Sequence, residues 1–217
     1  VYQAYIQAEK IFGMPVRLRI GRQELAFGSE WLVGTNYWFN PLTYLSFDAV
    51  RLTYDVEAFT VDAFWSKLAE NGNAEQDGDV DFYGLYATYK GIEKHSIDAY
   101  VFYLRDAVRQ VDTDAAWTVD TYLDDFTREL FEDLTGRDDY DVTNLYTAGL
   151  RFAGEAGGFD YEAEAAYQWG GASAIGALFA PIVYGDDDAK FDNWGGHMTL
   201  GYTFDVAWQP HVYVGAE

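Results

Sequence analysis

The stretch Phe159-Asp160-Tyr161-Glu162-Ala163-Glu164-Ala165-Ala166-Tyr167-Gln168-Trp169 sorts its side chains by parity: Tyr161, Ala163, Ala165 and Tyr167 against Asp160, Glu162, Glu164 and Gln168. Successive side chains on a strand point to opposite faces, so this is a strand with one apolar and one acidic face. The same split recurs along the chain. Phe59, Val61, Ala63 and Trp65 oppose Thr60, Asp62 and Ser66; Ile97, Ala99, Val101 and Tyr103 oppose Ser96, Asp98 and Tyr100; Tyr146, Ala148, Leu150 and Phe152 oppose Thr147, Gly149 and Arg151. The apolar parity carries aromatics at its ends and small aliphatics between, as in Phe59/Trp65, Tyr83/Tyr89, Tyr146/Phe152 and Tyr161/Tyr167. Each pair is separated by about 20 Å along a strand rising ~3.3 Å per residue. Tilted by ~40°, such strands set the rings at the edges of an apolar band somewhat under ~25 Å tall, where aromatic rings prefer the headgroup level of a membrane.

The connections have the same regularity. Short ones fall at Phe12-Gly13-Met14-Pro15, Asp55-Val56-Glu57-Ala58, Gly91-Ile92-Glu93-Lys94, Gly154 to Gly158 and Asp205-Val206-Ala207, and long polar stretches, roughly 28–46, 68–79, 106–143 and 170–195, alternate with them. Tight turns on one side of a membrane and long loops on the other are the signature of an outer-membrane barrel. The pattern predicts ten strands, near 1–11, 16–27, 47–54, 59–67, 81–90, 95–105, 144–153, 159–169, 196–204 and 208–217, in one all-β antiparallel transmembrane β-barrel domain. If the short turns are periplasmic, the tenth strand ends outside at Glu217. Single-chain barrels normally begin and end in the periplasm, so the 217 residues are expected to be an internal piece of a larger barrel.

Composition narrows the alternatives. No apolar run approaches the ~18–20 residues of a membrane helix. The chain has no cysteine, which removes disulfide, thiolate-metal and Cys-nucleophile readings. A formal charge of −22, from 36 acids and 14 bases, disfavours nucleic acid and anionic membrane surfaces as partners. Acids crowd 106–141, where only Arg109, Arg128 and Arg137 offset them; this reads as a hydrated acidic loop, with Ca2+ binding as the sharper alternative, although no EF-hand spacing is present. The same loop is expected to hold a short helix carrying Leu123, Phe126, Leu130 and Leu134, packed on the barrel mouth or folded inward as a partial plug.

The second strand is less regular. Arg17 and Arg19 share the polar parity, whereas Arg22 and Glu24 fall on the apolar one. Either a β-bulge near Gly21 restores the register, or the strand has left the membrane by Arg22.

Residues 21–54 carry a more specific signal: Gly21-Arg22-Gln23-Glu24-Leu25-Ala26-Phe27-Gly28, then Trp31-Leu32-Val33-Gly34, then Trp38, then Ser46-Phe47-Asp48-Ala49-Val50-Arg51-Leu52. This order resembles the alginate-export porin family, in which a G-R-Q-x-L strand, a Gly/Trp loop and an S-F-D-x-x-R-L strand follow one another. The resemblance rests on Gly21, Arg22, Gln23, Leu25, Gly28, Gly34, Trp38, Phe47, Asp48 and Arg51, with Ala166-Tyr167-Gln168-Trp169-Gly170 similar to a later strand. It implies an up-and-down barrel of about 18 strands that passes an anionic polysaccharide through an arginine-rich lumen. The sequence departs from that pattern, because residues 25–50 contain no Arg or Lys.

The residues expected to line the pore are Arg17, Arg19, Arg51, Asp62, Asp98, Tyr100, Arg151, Asp160, Glu162 and Glu164. Their mixed charge predicts a general porin rather than an anion funnel, with Tyr100, Phe102, Tyr86 and Phe82 placed to stack on sugar rings. His95, His197 and His211 show no metal-ligand spacing and are expected to be lumen or interface residues; no metal or other cofactor is expected. Glu162 and Glu164 resemble a hydrolase carboxylate pair, but their parity recurs on other strands and marks a lumen ladder. The glycine pairs at 157–158, 170–171 and 195–196 read as turns. No serine has a G-x-S-x-G context, so no enzyme is expected. The leading expectation is a bacterial outer-membrane channel for polar solutes such as saccharides. Its partners would be lipid, solute and, in an oligomer, further copies or other envelope proteins. The competing one is a plugged structural barrel whose acidic loops bind a surface layer, polysaccharide or Ca2+.

Overall fold

A computed structural model of the chain describes residues 2–35, 45–69, 79–107, 142–173 and 188–217. Ten strands are present among them: β1 (Ala4–Glu9), β2 (Val16–Gln23), β3 (Phe47–Asp55), β4 (Phe59–Ala69), β5 (Val80–Tyr89), β6 (His95–Asp106), β7 (Thr143–Ala156), β8 (Phe159–Ser173), β9 (Asp188–Thr203) and β10 (His211–Ala216). They form a single antiparallel sheet in which each strand pairs with its neighbours in the sequence. Among the described residues, helical structure is limited to one 3-10 turn at Ile11–Gly13.

Chain-order pairing follows from the short connections, which return each strand directly alongside its predecessor. The tightest is Gly157-Gly158, whose φ values of 59° and 86° give the doubly left-handed two-residue turn that matches strand twist. All the short connections lie at one end of the sheet, and the strand ends that lead into the long segments lie at the other.

The register separates two faces. On the outer face the upper rings stack laterally across strands: Tyr83 on Tyr103 at 5.7 Å, Tyr103 on Tyr146 at 4.7 Å, Tyr146 on Trp169 at 5.6 Å. A second row lies nearer the short turns, with Phe152 on Tyr161 at 5.6 Å and Phe159 on Tyr202 at 4.6 Å. Between the rows the outer positions are Ala and Leu residues such as Ala63, Leu85, Ala99, Leu150 and Ala165, which leave a smooth apolar band. The inner face holds the polar parity and nearly all of the buried side chains.

Four expectations are corrected. Strand β2 stops at Gln23, not Phe27, and the chain then turns inward. Strand β9 begins at Asp188, not 196, and pairs with a β8 prolonged to Ser173, so Gly170, Gly171, Gly195 and Gly196 lie within strands and not at turns. The added rungs continue past the apolar band, where side chains no longer alternate between apolar and polar. Gly21 has φ of 120°, yet the register on both sides of it is unbroken, so there is no bulge. Arg22 instead lies on the outer face at the long-loop end, bonded to its cross-strand neighbour Asp48 at 2.9 and 2.6 Å. The helix expected within 106–143, with most of the acidic segment considered for Ca2+, lies outside the described residues, as does Trp38.

Candidate functional site: an inward loop on the inner face

The segment after β2 is the least expected part of the structure. Gln23 is fully buried and anchors the departure, its side-chain amide donating to the Ala49 carbonyl at 2.9 Å. Leu25 follows with no exposed surface. Phe27 then lies across the inner wall, stacked on Tyr86 at 4.8 Å and Phe64 at 5.4 Å, with the Arg51 guanidinium 5.1 Å from its ring centre. The loop closes on itself. Phe27 N–H donates to the Val33 carbonyl, Glu30 N–H to the Phe27 carbonyl, and the Glu30 carboxylate accepts from both Thr35 N–H and Thr35 Oγ1 at 2.7 Å.

Gly28 shows why a glycine stands in the motif. Its φ is 57°, and a Cβ there would lie 2.7 Å from the Tyr86 hydroxyl and 2.9 Å from the Arg151 stem. Any other residue would be strained in backbone and blocked by the wall. The wall is shaped for close contact as well: a Cβ on Gly149 would meet the Tyr100 ring at 2.2 Å, so the ring lies flat over the neighbouring strand. Tyr100 in turn stacks on Tyr86 at 5.5 Å and Phe102 at 4.9 Å. Tyr86, Tyr100 and Phe102 are therefore packed under Phe27, with 4–5 % of their surface exposed. They are not free platforms for sugar stacking. That expectation treated them as open wall.

All ten residues expected to line the pore share the inner face. Seven of them join charge and hydrogen-bond networks. Arg51 Nε donates to Asp62 at 2.8 Å, and Thr53 donates to the same oxygen. Arg151 donates to Asp98 at 2.7 Å and to Glu162 at 2.5 Å. Tyr86 donates to Asp98 at 2.9 Å, and Tyr100 donates to Glu164 at 2.7 Å. The carboxylates of Asp62, Asp98 and Glu164 are buried, the two arginines and Glu162 are half-buried, and each of these charges has a hydrogen-bond partner, as groups removed from water require. Arg17, Arg19 and Asp160 stand apart: Arg19 donates twice to Gln7 and lies 4.3 Å over the Tyr5 ring, while Asp160 faces His211 at 2.8 Å.

Sequence spacing did not reveal the loop contacts or the carboxylate neighbours of His197. Ser29 Oγ donates to Glu164 at 3.1 Å, and Trp31 packs on the His197 ring at 5.1 Å. His197 stands opposite Glu164 in the β8–β9 register, 3.3 Å from Glu164 and 3.6 Å from Glu162, so it is beside a carboxylate pair after all. The two residues are far apart in the chain, and only the strand pairing joins them.

An up-and-down sheet with a doubly ringed apolar exterior, a polar interior and a loop folded against that interior defines a transmembrane β-barrel. The family model described as alginate export matches residues 1–217, so the chain belongs to the alginate export family. No curated protein matches it.

Proposed function

We propose that this chain forms wall and constriction of an outer-membrane channel for polar solutes of the saccharide class, an exported polysaccharide among them. Family membership supports transport rather than catalysis. The observation that carries the reading is the docking of residues 24–35 on the inner face, because a loop held there by a buried aromatic cluster and charge-network contacts would narrow a lumen on that side. The apolar band would face lipid, with its aromatic rows at the two interfaces.

Among the described residues, β1 and β10 pair on one side only. Open edges in lipid leave backbone groups unsatisfied, so we read the ten strands as part of a wider barrel, consistent with the family's about 18 strands. A barrel of about 16–18 strands leaves an aqueous channel, whereas about eight are filled by their own side chains.

The expected substrate range follows from the inner charges. Arg51 and Arg151 are committed to carboxylates, Asp160 and Glu164 add further negative charge, and Arg17 and Arg19 sit together on β2. Such a wall has a transverse field and no general preference for anions. Planar-bilayer recording of the full-length protein tests both points: an open-channel current with weak ion selectivity is expected. A well-folded barrel with no current would favour the structural reading, and strong anion selectivity would favour an anionic polysaccharide.

A further inference from the structure

Glu162 and Glu164 on β8, His197 on β9 and Ser29 on the inward loop converge at one point of the inner face. We infer that they form a binding site for a divalent transition cation of the zinc class.

The spacing is the first argument. His197 Nε2 lies 3.3 Å from Glu164 Oε2 and 3.6 Å from Glu162 Oε1, and Ser29 Oγ lies 3.1 Å from Glu164 Oε2 and 3.3 Å from His197 Nε2. The histidine and carboxylate ligand atoms all fall within 4.8 Å of one another. Ligands held tetrahedrally at ~2.0–2.1 Å from zinc stand about 3.4 Å apart. The His197–Glu162 separation is too long for a hydrogen bond, yet it fits one edge of such a tetrahedron.

The second argument is how the carboxylates are held. Arg151 takes Glu162 by Oε2, and the Tyr100 hydroxyl takes Glu164 by Oε1. Each carboxylate thus presents its other oxygen to His197. Donors that grip one oxygen and aim the other are how proteins orient metal ligands. The charge is also apt. Asp98, Glu162 and Glu164 surround Arg151, a surplus of anions that a dication would offset. One imidazole with two carboxylates suits zinc better than calcium or magnesium, which favour all-oxygen shells of six or more.

With Ser29 near the site and Trp31 packed on His197, a bound ion would clasp the loop to the wall. Binding is independent of the channel reading, whereas an effect on current rests on it.

The test titrates refolded full-length protein with Co2+, then displaces it with Zn2+. Saturable Co2+ binding with the strong visible absorption of a four-coordinate nitrogen/oxygen site is expected, lost on adding Zn2+. His197→Ala and Glu164→Gln should each weaken Zn2+ binding by at least about tenfold, and His95→Ala/His211→Ala should bind as the parent does. Heat-modifiable gel mobility checks that each variant has folded. Absence of saturable binding by the parent overturns the site irrespective of any variant. So does a folded His197→Ala or Glu164→Gln variant that binds Zn2+ as tightly as the parent.

Discussion

Replacing Phe27 by alanine should release the inward loop while leaving the barrel intact. Phe27 is 8 % exposed, is stacked on Phe64 and Tyr86, and lies under the Arg51 guanidinium. Truncating a buried phenylalanine costs about 3–5 kcal/mol. Here the loss falls on the loop–wall contact, because the β1–β10 ladder uses none of that ring. Taking the lower figure of about 3 kcal/mol, the ratio of docked to undocked loop falls by roughly a hundredfold, at about 1.4 kcal/mol per decade. The chain has no cysteine, so Val33→Cys, a nearly isosteric change at a buried loop position, provides a thiol reporter within these residues. Its labelling by a water-soluble maleimide should speed up about a hundredfold in the Phe27→Ala background, with heat-modifiable gel mobility unchanged. Equal labelling rates in the two backgrounds would refute the docking argument, and loss of the folded gel species would show that Phe27 holds the barrel rather than the loop.

Gly149→Ala should push the Tyr100 ring off the wall and break its bond to Glu164, lowering stability by about 1–3 kcal/mol in urea titrations. Measured in a Tyr100→Ala background, the same Gly149→Ala change should cost much less, and an equal cost there would mean the ring is not the obstacle. Arg151→Ala leaves the buried Asp98 and the half-buried Glu162 without their cation and should cost about 3 kcal/mol, whereas Arg17→Ala should cost far less; comparable urea midpoints for the two variants would contradict the charge network. The double change Arg17→Ala/Arg19→Ala should move the reversal potential toward cations, since it strips two inner-face bases while every acid stays.

The strands were legible because the outer face must satisfy one apolar environment along its whole length, and Ala163, Ala165 and Tyr167 alternate accordingly. Where that demand ends, so does the signal: β9 above the band includes Lys190, Asp192 and Asn193, and reads as loop. The inward loop was hidden for a different reason. Gln23, Leu25 and Phe27 keep the parity of β2, so a chain that leaves the sheet to pack on it looks like a strand that continues. The motif Gly21 to Gly34 signalled the family, but its purpose shows only in three dimensions, where Gly28 fits between Tyr86 and Arg151. His197 was expected on the lumen or an interface, but its place beside Glu164 was not legible, because the register of β8 and β9, not sequence distance, sets the two together.

The central claim is that the two faces of this sheet meet different solvents, lipid outside and water within. Thr199 and Leu200 test it most directly, since they are consecutive on β9, both exposed, and point to opposite faces. Spin labels at Thr199→Cys and Leu200→Cys in the reconstituted full-length protein should divide: the Leu200 label relaxed chiefly by oxygen dissolved in the bilayer, the Thr199 label chiefly by a water-soluble nickel chelate. Both labels responding to the chelate, or the two responses exchanged, would contradict the account.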